Sequence, residues 1–185
     1  MSNGIIVFMG YMGSGKTKLG KMVSKKLKIP FFDLDEIISK KENLSINEIF
    51  RFKGDKYFRD IEKKTLHQIL NSENEIVLSL GGGTPCYFDN IDKIISATKN
   101  NFYLNASSSV LAKRLFSEKN TRPLISRFKS FEDLKIFISK HLFEREPFYS
   151  KANFRVESTN EYQKVVKQIL KKISLNMQWA YYFQN

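Results

Sequence analysis

Short apolar runs alternate along the chain with longer segments in which apolar residues recur every three or four positions. The short runs predict buried β-strands, and the longer segments predict amphipathic helices. Because strands and helices alternate, the pattern predicts an α/β fold with three layers and a parallel sheet. The predicted strands span residues 5–9, 30–33, 75–80, 101–104 and 153–156, and the predicted helices span residues 16–27, 34–41, 45–52, 54–71, 90–98, 107–116, 131–150 and 160–174.

A glycine-rich loop follows the first predicted strand and leads into the first predicted helix. It fits the pattern G-x-x-x-x-G-K-T at Gly10, Gly15, Lys16 and Thr17, and Gly13 adds a third glycine. A loop that wraps around a triphosphate turns its backbone N–H groups inward, and glycine tolerates the dihedral angles that this requires. The lysine is placed to bridge phosphate oxygens, and the threonine hydroxyl to bind Mg²⁺. The motif therefore predicts a nucleotide site rather than a plain turn.

Length and composition bound the class of protein. A chain of 185 residues is long enough for one domain with its own core. A single cysteine, Cys86, and two histidines exclude a disulfide framework and disfavour a zinc site, which fits a reducing cytosolic compartment. The apolar runs are shorter than the roughly 20 residues of a spanning helix, and the N-terminus lacks signal-peptide features. We expect a cytoplasmic protein without a membrane segment.

The chain is strongly basic, with a net charge of +12 and a pI near 9.7. Such a charge suits nucleic acid, an acidic membrane surface or a small polyanionic substrate. The lysines are spread over predicted helix faces, without the dense basic arm or the arginine and aromatic alternation that follows a nucleic-acid backbone. We interpret the charge as solvated surface that also attracts anionic substrates, and we expect no nucleic-acid partner.

Two aspartates, Asp33 and Asp35, come at the end of the second predicted strand. Because strand side chains alternate, both are expected on one side at the carboxyl end of the sheet, where ligands bind in open α/β folds. One carboxylate would hold a Mg²⁺-bound water, and the other would accept a hydrogen bond from a substrate hydroxyl. The alternative is a helix N-cap followed by an acidic first turn. Proximity to the glycine-rich loop favours the functional interpretation.

Three consecutive glycines, Gly81, Gly82 and Gly83, follow the third predicted strand. They leave the backbone bare, so that a ligand can lie against its N–H groups. The alternative is a tight turn ahead of Pro85. Since this turn also falls at the carboxyl edge of the sheet, we place it in the same candidate site.

Three arginines complete the candidate site: Arg59, Arg122 and Arg145. A planar guanidinium pairs in bidentate fashion with carboxylate or phosphate, which suits an acid substrate and a transferring phosphoryl group. A single arginine is more often a surface ion-pair partner. Glu62 lies three positions after Arg59 and is expected to orient it on one helix face.

Two further segments stand apart from the regular pattern. Residues 117–129 are polar, basic and broken by Pro123, which predicts a mobile cover, or lid, rather than packed core. Residues 175–185 form an aromatic tail after the last predicted helix, and we expect it to dock on the body or on a partner.

The segments GYMGSGKT, FFDLD, FRDIE, LGGGTP, RPL and R-x-x-x-Y, in this order over residues 4 to about 172, resemble those of the shikimate kinase family. The first motif is shared with many families, whereas the combination is specific. The resemblance implies one P-loop kinase domain over residues 1–174, with a five-stranded sheet in order 2-3-1-4-5, a substrate-binding region at 34–62 and the lid. It implies a monomer that transfers the γ-phosphoryl group of ATP to the 3-hydroxyl of shikimate, in aromatic amino-acid biosynthesis.

The same resemblance implies roles for the site residues. Lys16 would neutralise the phosphates, Thr17 would bind Mg²⁺ directly, and Asp33 would hold the water shell of the metal. Asp35 would bind shikimate hydroxyls and is the candidate base. The remaining assignments are Gly10, Gly13, Ser14, Gly15 and Lys18 in the ATP cradle, Arg114 beside adenine, Arg59 and Arg145 on the shikimate carboxylate, Gly81, Gly82 and Gly83 along the ring, and Arg122 on the transferring phosphate.

One departure concerns the adenine site. Family members often sandwich adenine between an arginine of the lid region and a proline near the last strand. Arg114 matches the arginine, but the sequence contains no proline after Pro147. We therefore expect a different adenine packing, with Tyr162 or a neighbour as a substitute.

Two other functions compete with this interpretation. The first is a different small-molecule P-loop kinase, such as a gluconate kinase, which would share the P-loop and the lid. The second is a nucleotide-binding regulator or a basic nucleic-acid-binding protein without catalysis. Asp33, Asp35 and the three arginines favour catalysis on a hydroxylated acid.

Overall fold

Five parallel strands form the central sheet. The computed structural model describes residues 4–72, 75–118 and 123–176. The sheet order β2-β3-β1-β4-β5 and the α/β class confirm the predicted fold. The strands are β1 (Ile5–Met9), β2 (Phe31–Asp33), β3 (Ile76–Ser79), β4 (Asn101–Asn105) and β5 (Phe154–Glu157).

Helices cover both faces of this sheet. Among the described residues, none of them combines the length and apolar character that crossing a membrane requires. A 3₁₀ turn, Thr84–Cys86, follows the three glycines. The helices are α1 (Lys16–Leu27), α2 (Leu34–Glu42), α3 (Ile46–Leu70), α4 (Asn90–Ala97), α5 (Ser108–Ser117), α6 (Pro123–Ser126), α7 (Phe131–Tyr149) and α8 (Tyr162–Leu175).

The central strand β1 divides the core into two layers. Ile5, Val7 and Met9 pack on one face against side chains of α3, α4 and α7. Ile6 and Phe8 pack on the other face against α1 and α8. Because both faces of a parallel strand are covered, β1 is apolar throughout, as its sequence suggested. The sheet is thereby held rigidly, with its carboxyl edge free to carry a site.

Helix α3 bends at Gly54. The sequence predicts two helices, 45–52 and 54–71, and the structure joins them in one helix whose backbone is non-helical at Gly54, with φ 83° and ψ 169°. Ser45 caps the first half, because its side chain accepts a hydrogen bond from the Glu48 N–H while the Glu48 carboxylate accepts one from the Ser45 N–H. The bend separates the capped first half of α3 from the half that carries Arg59.

The predicted lid differs from expectation where it is described. Ile125 in α6 is fully buried and packs in an apolar cluster with Leu134 and Ile138 of α7. One isoleucine therefore anchors this part in the packed core despite the polar composition around it, and the lid itself stays a prediction. The expected lid arginine, Arg122, and most of the aromatic tail, residues 177–185, lie outside the described residues.

Candidate active site

The glycine-rich loop connects β1 to α1 in the conformation that its sequence predicts. Gly10, Gly13 and Gly15 have φ angles of 140°, 77° and 90°, a region that side-chain-bearing residues rarely adopt. The Lys16 ammonium is buried and donates hydrogen bonds to the carbonyls of Gly10 at 2.8 Å and Tyr11 at 3.0 Å. The loop therefore holds its cation against its own backbone at the start of α1.

A cavity of about 360 Å³ opens at the carboxyl edge of the sheet. It joins the glycine-rich loop to the two aspartates and to the first two residues of the glycine turn, so segments distant in sequence share one wall. The lining residues are Met12, Gly13, Gly15, Lys16, Thr17, Lys18, Asp33, Asp35, Ser79, Leu80, Gly81, Gly82, Arg114, Glu118 and Tyr162.

The two aspartates line this cavity, but they do not belong to the same strand as predicted. Asp33 ends β2 and is also the N-cap of α2, where its Oδ1 accepts from the Asp35 N–H at 3.1 Å. Its Oδ2 accepts from the Thr17 hydroxyl at 3.1 Å. Asp35 lies in the first turn of the helix, so the argument from strand alternation is wrong. The pair shares the cavity because the chain passes from strand to helix between them, and the capping alternative is also realised.

Asp35 is a titratable group at the cavity whose pKa departs clearly from its ordinary value. Its pKa is raised to about 6, chiefly by burial of the carboxyl group and next by the neighbouring carboxylates of Asp33 and Glu62. The cations of Lys16 and Arg59 act in the opposite direction. A carboxylate with a pKa near the working pH can accept a proton from a substrate hydroxyl.

The glycine turn is in close contact with the other candidate groups. A Cβ atom built on Gly81 would lie 3.0 Å from Asp35 Oδ1, and one built on Gly83 would lie 3.2 Å from Arg59 Nη1. The Gly82 carbonyl accepts a hydrogen bond from Arg145 Nη1 at 3.2 Å. Side chains at these positions would crowd the aspartate and the first arginine.

Glu62 fixes Arg59 in place. This carboxylate is only 1% exposed, and its Oε2 accepts from Arg59 Nη1 at 2.7 Å, as the spacing of the two residues predicts. Its Oε1 accepts from the Thr84 hydroxyl at 2.6 Å, directly after the glycine turn. The guanidinium carbon of Arg59 also lies 3.9 Å from the ring centroid of Tyr87. One buried carboxylate thus ties the arginine to the turn.

Arg114 connects the glycine-rich loop to the segment after β5. Its guanidinium donates to the carbonyls of Gly13 and Ser158 and to Asn160 Oδ1, each at 3.0 Å. The Ser158 hydroxyl in turn donates to the Ser14 carbonyl at 2.5 Å. The three hydrogen bonds from Arg114 fix the guanidinium plane at the cavity wall.

Lys18 and Tyr162 form a cation–π contact beside the loop. Lys18 Nζ lies 3.7 Å from the ring centroid of Tyr162, and both residues line the cavity beside Arg114. Tyr162, which the sequence analysis named in place of the missing proline, thus lies at the cavity wall beside Arg114.

Sequence reasoning missed several residues that contact the site. Tyr149 donates a hydrogen bond to the Gly82 carbonyl beside Arg145. Ser79 lines the cavity, and Ser158 holds the loop. Both serines come at or just after the carboxyl ends of strands, so the rule that ligands bind at this edge was a usable signal for them. Tyr149 is the tyrosine of the R-x-x-x-Y segment, but the sequence assigned it no role, because its contact depends on how α7 packs.

The assembled groups are suited to a specific class of chemistry. A phosphate-binding loop with a buried lysine adjoins a carboxylate of raised pKa, and two arginines lie close to the glycine turn beside it. Phosphoryl transfer asks the protein mainly for positioning and charge stabilisation, and a guanidinium pair suits a carboxylate. The geometry thus fits phosphoryl transfer to a hydroxylated carboxylic acid.

Comparisons with known proteins agree with this chemistry. The sequence model of the shikimate kinase family matches residues 12–174. The shikimate kinase of Flavobacterium johnsoniae is 43% identical over 160 residues, covering 84% of this chain and 90% of that protein. The crystal structure of shikimate kinase from Bacteroides thetaiotaomicron has a TM-score of 0.80 at 31% identity and covers 94% of this chain and 98% of its own. A shikimate kinase from Acinetobacter baumannii in complex with shikimate has a TM-score of 0.81 at 27% identity, with 93% of both chains covered. This chain belongs to the shikimate kinase family.

Proposed function

We propose that this chain transfers the γ-phosphoryl group of ATP to the 3-hydroxyl of shikimate, giving 3-phosphoshikimate and ADP in aromatic amino-acid biosynthesis. The proposal rests on the position of the glycine turn. This turn lies against Asp35, Arg59 and Arg145, beside the phosphate-binding loop. Family membership supports the substrate, as does the related structure that holds shikimate.

The nucleotide is proposed to bind at the glycine-rich loop. Its N–H groups and Lys16 would neutralise the phosphates, with Gly10, Gly13, Gly15 and Lys18 completing the cradle. Ser14 is fully buried, so it would contact phosphate only through its backbone. From the resemblance, Arg122 would reach the transferring phosphate as the lid closes.

Thr17 and Asp33 fit a magnesium site. The hydroxyl and the carboxylate are 3.1 Å apart at the cavity, and hard oxygen donors of this kind suit Mg²⁺. Thr17 would bind the ion directly and Asp33 would hold its waters through Oδ2, since Oδ1 already caps α2. When bound, Mg²⁺ neutralises charge on the β- and γ-phosphate oxygens.

Shikimate is proposed to lie along the glycine turn. Arg59 and Arg145 would grip its carboxylate, while Gly81, Gly82 and Gly83 approach the ring through their backbone. Asp35 would orient the hydroxyls and accept the proton of the attacking one. The fixed geometry of Arg59 on Glu62 supports a preorganised contact, because the arginine loses little further freedom on binding.

Adenine is proposed to pack on Arg114 and Tyr162. The guanidinium is held by its bonds to the loop and to the segment after β5, and Tyr162 lines the same cavity. A tyrosine ring offers a flat apolar face in place of the proline found in many relatives. We further propose that the enzyme is a cytoplasmic monomer whose residues 1–174 act as one kinase domain.

A parallel substrate assay tests this function. ADP release is coupled to a spectrophotometric readout with shikimate, gluconate or nucleoside monophosphates as acceptor. We expect turnover with shikimate alone. Nucleoside monophosphates lack the carboxylate that the arginine pair would bind, and gluconate has a carboxylate but lacks the ring that would lie along the glycine turn. Preferred turnover of gluconate would support the other small-molecule kinase. Salt-dependent RNA or DNA binding without any turnover would support the non-catalytic alternative.

The Lys16→Ala variant tests the nucleotide site in the same assay. Because the ammonium stabilises charge that develops during transfer, we expect a folded protein whose turnover is at least about a hundredfold lower. The exposed lysine Lys25, on the same helix, provides the matched control Lys25→Ala, which should retain normal turnover. Near-normal turnover of Lys16→Ala would contradict the assigned role.

A further inference from the structure

Tyr87 comes directly after the 3₁₀ turn that follows the three glycines, and its ring faces Arg59. The guanidinium carbon of Arg59 is 3.9 Å from the centroid of this ring, nearer than to any other aromatic ring of the described residues. A Cβ atom built on Gly83 would lie 3.4 Å from Tyr87 Cε2. The ring therefore contacts the arginine and borders the glycine turn.

The carboxylates around Arg59 leave one nitrogen of its guanidinium available. Glu62 accepts from Nη1 at 2.7 Å, whereas the exposed Asp55 lies 3.5 Å from Nε, longer than a normal N–H···O bond. Nη2 donates to none of the described residues, and a Cβ atom built on Gly83 would lie 3.3 Å from it. The direction of this nitrogen thus depends on what restrains the face of the guanidinium, where Tyr87 lies.

Other roles do not account for the Tyr87 side chain. The residue is half-buried and belongs to none of the apolar clusters found in the described part of the chain. Its hydroxyl makes no hydrogen bond to a described residue. The contacts with Arg59 and the glycine turn are what distinguish it.

We propose that Tyr87 is a positioning residue for Arg59, and that its ring holds the guanidinium so that Nη2 is directed at the shikimate carboxylate. The inference rests on the proposed function, because it acts through the contact between Arg59 and that carboxylate. An aromatic face attracts a cation without using any of its N–H donors, so Nη2 stays available to the substrate. The attraction is strengthened by burial, and the Arg59 side chain is only 14% exposed.

Shikimate binding by calorimetry and steady-state kinetics test the inference on the intact chain. For Tyr87→Leu we expect affinity for shikimate to fall, and its apparent KM to rise, about fivefold or more, while kcat and the KM for ATP stay within about twofold of wild type. Tyr87→Phe keeps the ring and should behave like wild type. Unchanged shikimate affinity in Tyr87→Leu, a loss confined to kcat, or an equal loss in Tyr87→Phe would overturn the proposal.

A double-mutant cycle shows whether Tyr87 acts through Arg59. Once Arg59→Ala has removed the guanidinium, adding Tyr87→Leu should cause no further loss of shikimate affinity. Losses that multiply in the double variant would mean that the ring acts independently of the arginine, and would contradict the inference.

The neighbouring Phe88 provides a matched control. It is 55% exposed, and its ring lies 5.1 Å from Lys63 Nζ, a cation that does not line the cavity. Phe88→Leu should leave shikimate affinity unchanged in the wild-type and Arg59→Ala chains. A loss as large as that of Tyr87→Leu would show a general effect of this segment and overturn the specific role of Tyr87.

The binding measurement separates this inference from the proposed function. A wild-type chain that binds shikimate, loses affinity in Tyr87→Leu and yet fails to phosphorylate it would contradict the function and support the role of Tyr87. A wild-type chain that turns over shikimate but keeps its affinity in Tyr87→Leu would do the reverse. A chain that neither binds nor phosphorylates shikimate would contradict both.

Discussion

At the scale of single residues, the carboxyl group of Asp35 affects both stability and the proposed catalysis. Burial and two neighbouring carboxylates raise its pKa to about 6 from an ordinary value of 3.8. The folded state therefore binds this proton more tightly than the unfolded state does. Ionised Asp35 consequently lowers stability at pH 7, and that loss disappears as the pH falls through about 6 to below about 4.

The Asp35→Asn variant should separate catalysis from stability. We expect turnover at least about a hundredfold lower, because the base is lost. The free energy of unfolding at pH 7 should rise by about 1 to 3 kcal/mol, because an ionised buried group is replaced by a neutral one. Chemical denaturation at several pH values measures this difference, which should shrink below pH 6.

The wild-type pH profile provides a second check on Asp35. The value of kcat/KM for shikimate should fall below pH 6, as the carboxylate gains its proton. Asp92→Asn, at an exposed surface ion pair, should change neither the profile nor the stability appreciably. Full turnover in Asp35→Asn would exclude the proposed base.

The two arginines at the glycine turn should affect shikimate more than ATP. For Arg59→Ala or Arg145→Ala, loss of a carboxylate contact should raise the apparent KM for shikimate at least about tenfold and leave that for ATP nearly unchanged. Arg51→Ala, at an exposed position on α3, is the matched control and should behave like wild type. If the apparent KM for shikimate stays unchanged in both site variants, the assignment of the two arginines to the shikimate carboxylate is wrong.

At the scale of elements, Gly54 sets the course of α3 ahead of Arg59. Its φ of 83° with ψ of 169° is essentially restricted to glycine, yet a Cβ atom there would meet nothing within 4 Å. Gly54→Ala should therefore lower the free energy of unfolding by about 1 to 3 kcal/mol through backbone strain alone. Denaturant titration measures this loss, and Lys56→Ala, an exposed position two residues on, is the control. Unaltered stability would imply that the bend is not required.

Local sequence signals predicted the elements that depend on local interactions. The glycine-rich loop and the helix break at Gly54 are each specified by neighbouring residues and were placed within two residues. The two aspartates were assigned to the right cavity for the wrong reason, because the sequence pattern did not reveal that the helix begins between them. Ile125 was missed because one buried residue in a polar stretch gives no periodic signal.

Contacts between distant segments could not be predicted in the same way. The bonds from Tyr149 to the Gly82 carbonyl and from Ser158 to the Ser14 carbonyl depend on how α7 and the segment after β5 pack. Ser79 is one small residue at the end of an apolar strand, and its place at the carboxyl edge of the sheet was the signal that the sequence offered for it. Sequence thus predicts which chemistry the site contains, whereas packing decides which side chains support it.

At the scale of the whole molecule, the net charge of +12 should assist the capture of two anionic substrates. Raising the salt concentration from about 0.01 M to about 0.15 M shortens the Debye length from about 30 Å to about 8 Å. We expect kcat/KM for both ATP and shikimate to fall by a factor of about three or more over this range. An uncharged osmolyte at equal osmolality is the control. Values independent of salt would indicate that the charge serves only solubility.

A crystal structure with Mg²⁺, ADP and shikimate tests the central claim most directly. The account predicts the shikimate carboxylate between Arg59 and Arg145, its ring against Gly81, Gly82 and Gly83, and its 3-hydroxyl within hydrogen-bond distance of Asp35, facing the β-phosphate at the loop. Shikimate bound away from the glycine turn, or with its carboxylate toward the loop and its 3-hydroxyl far from Asp35, would contradict the account.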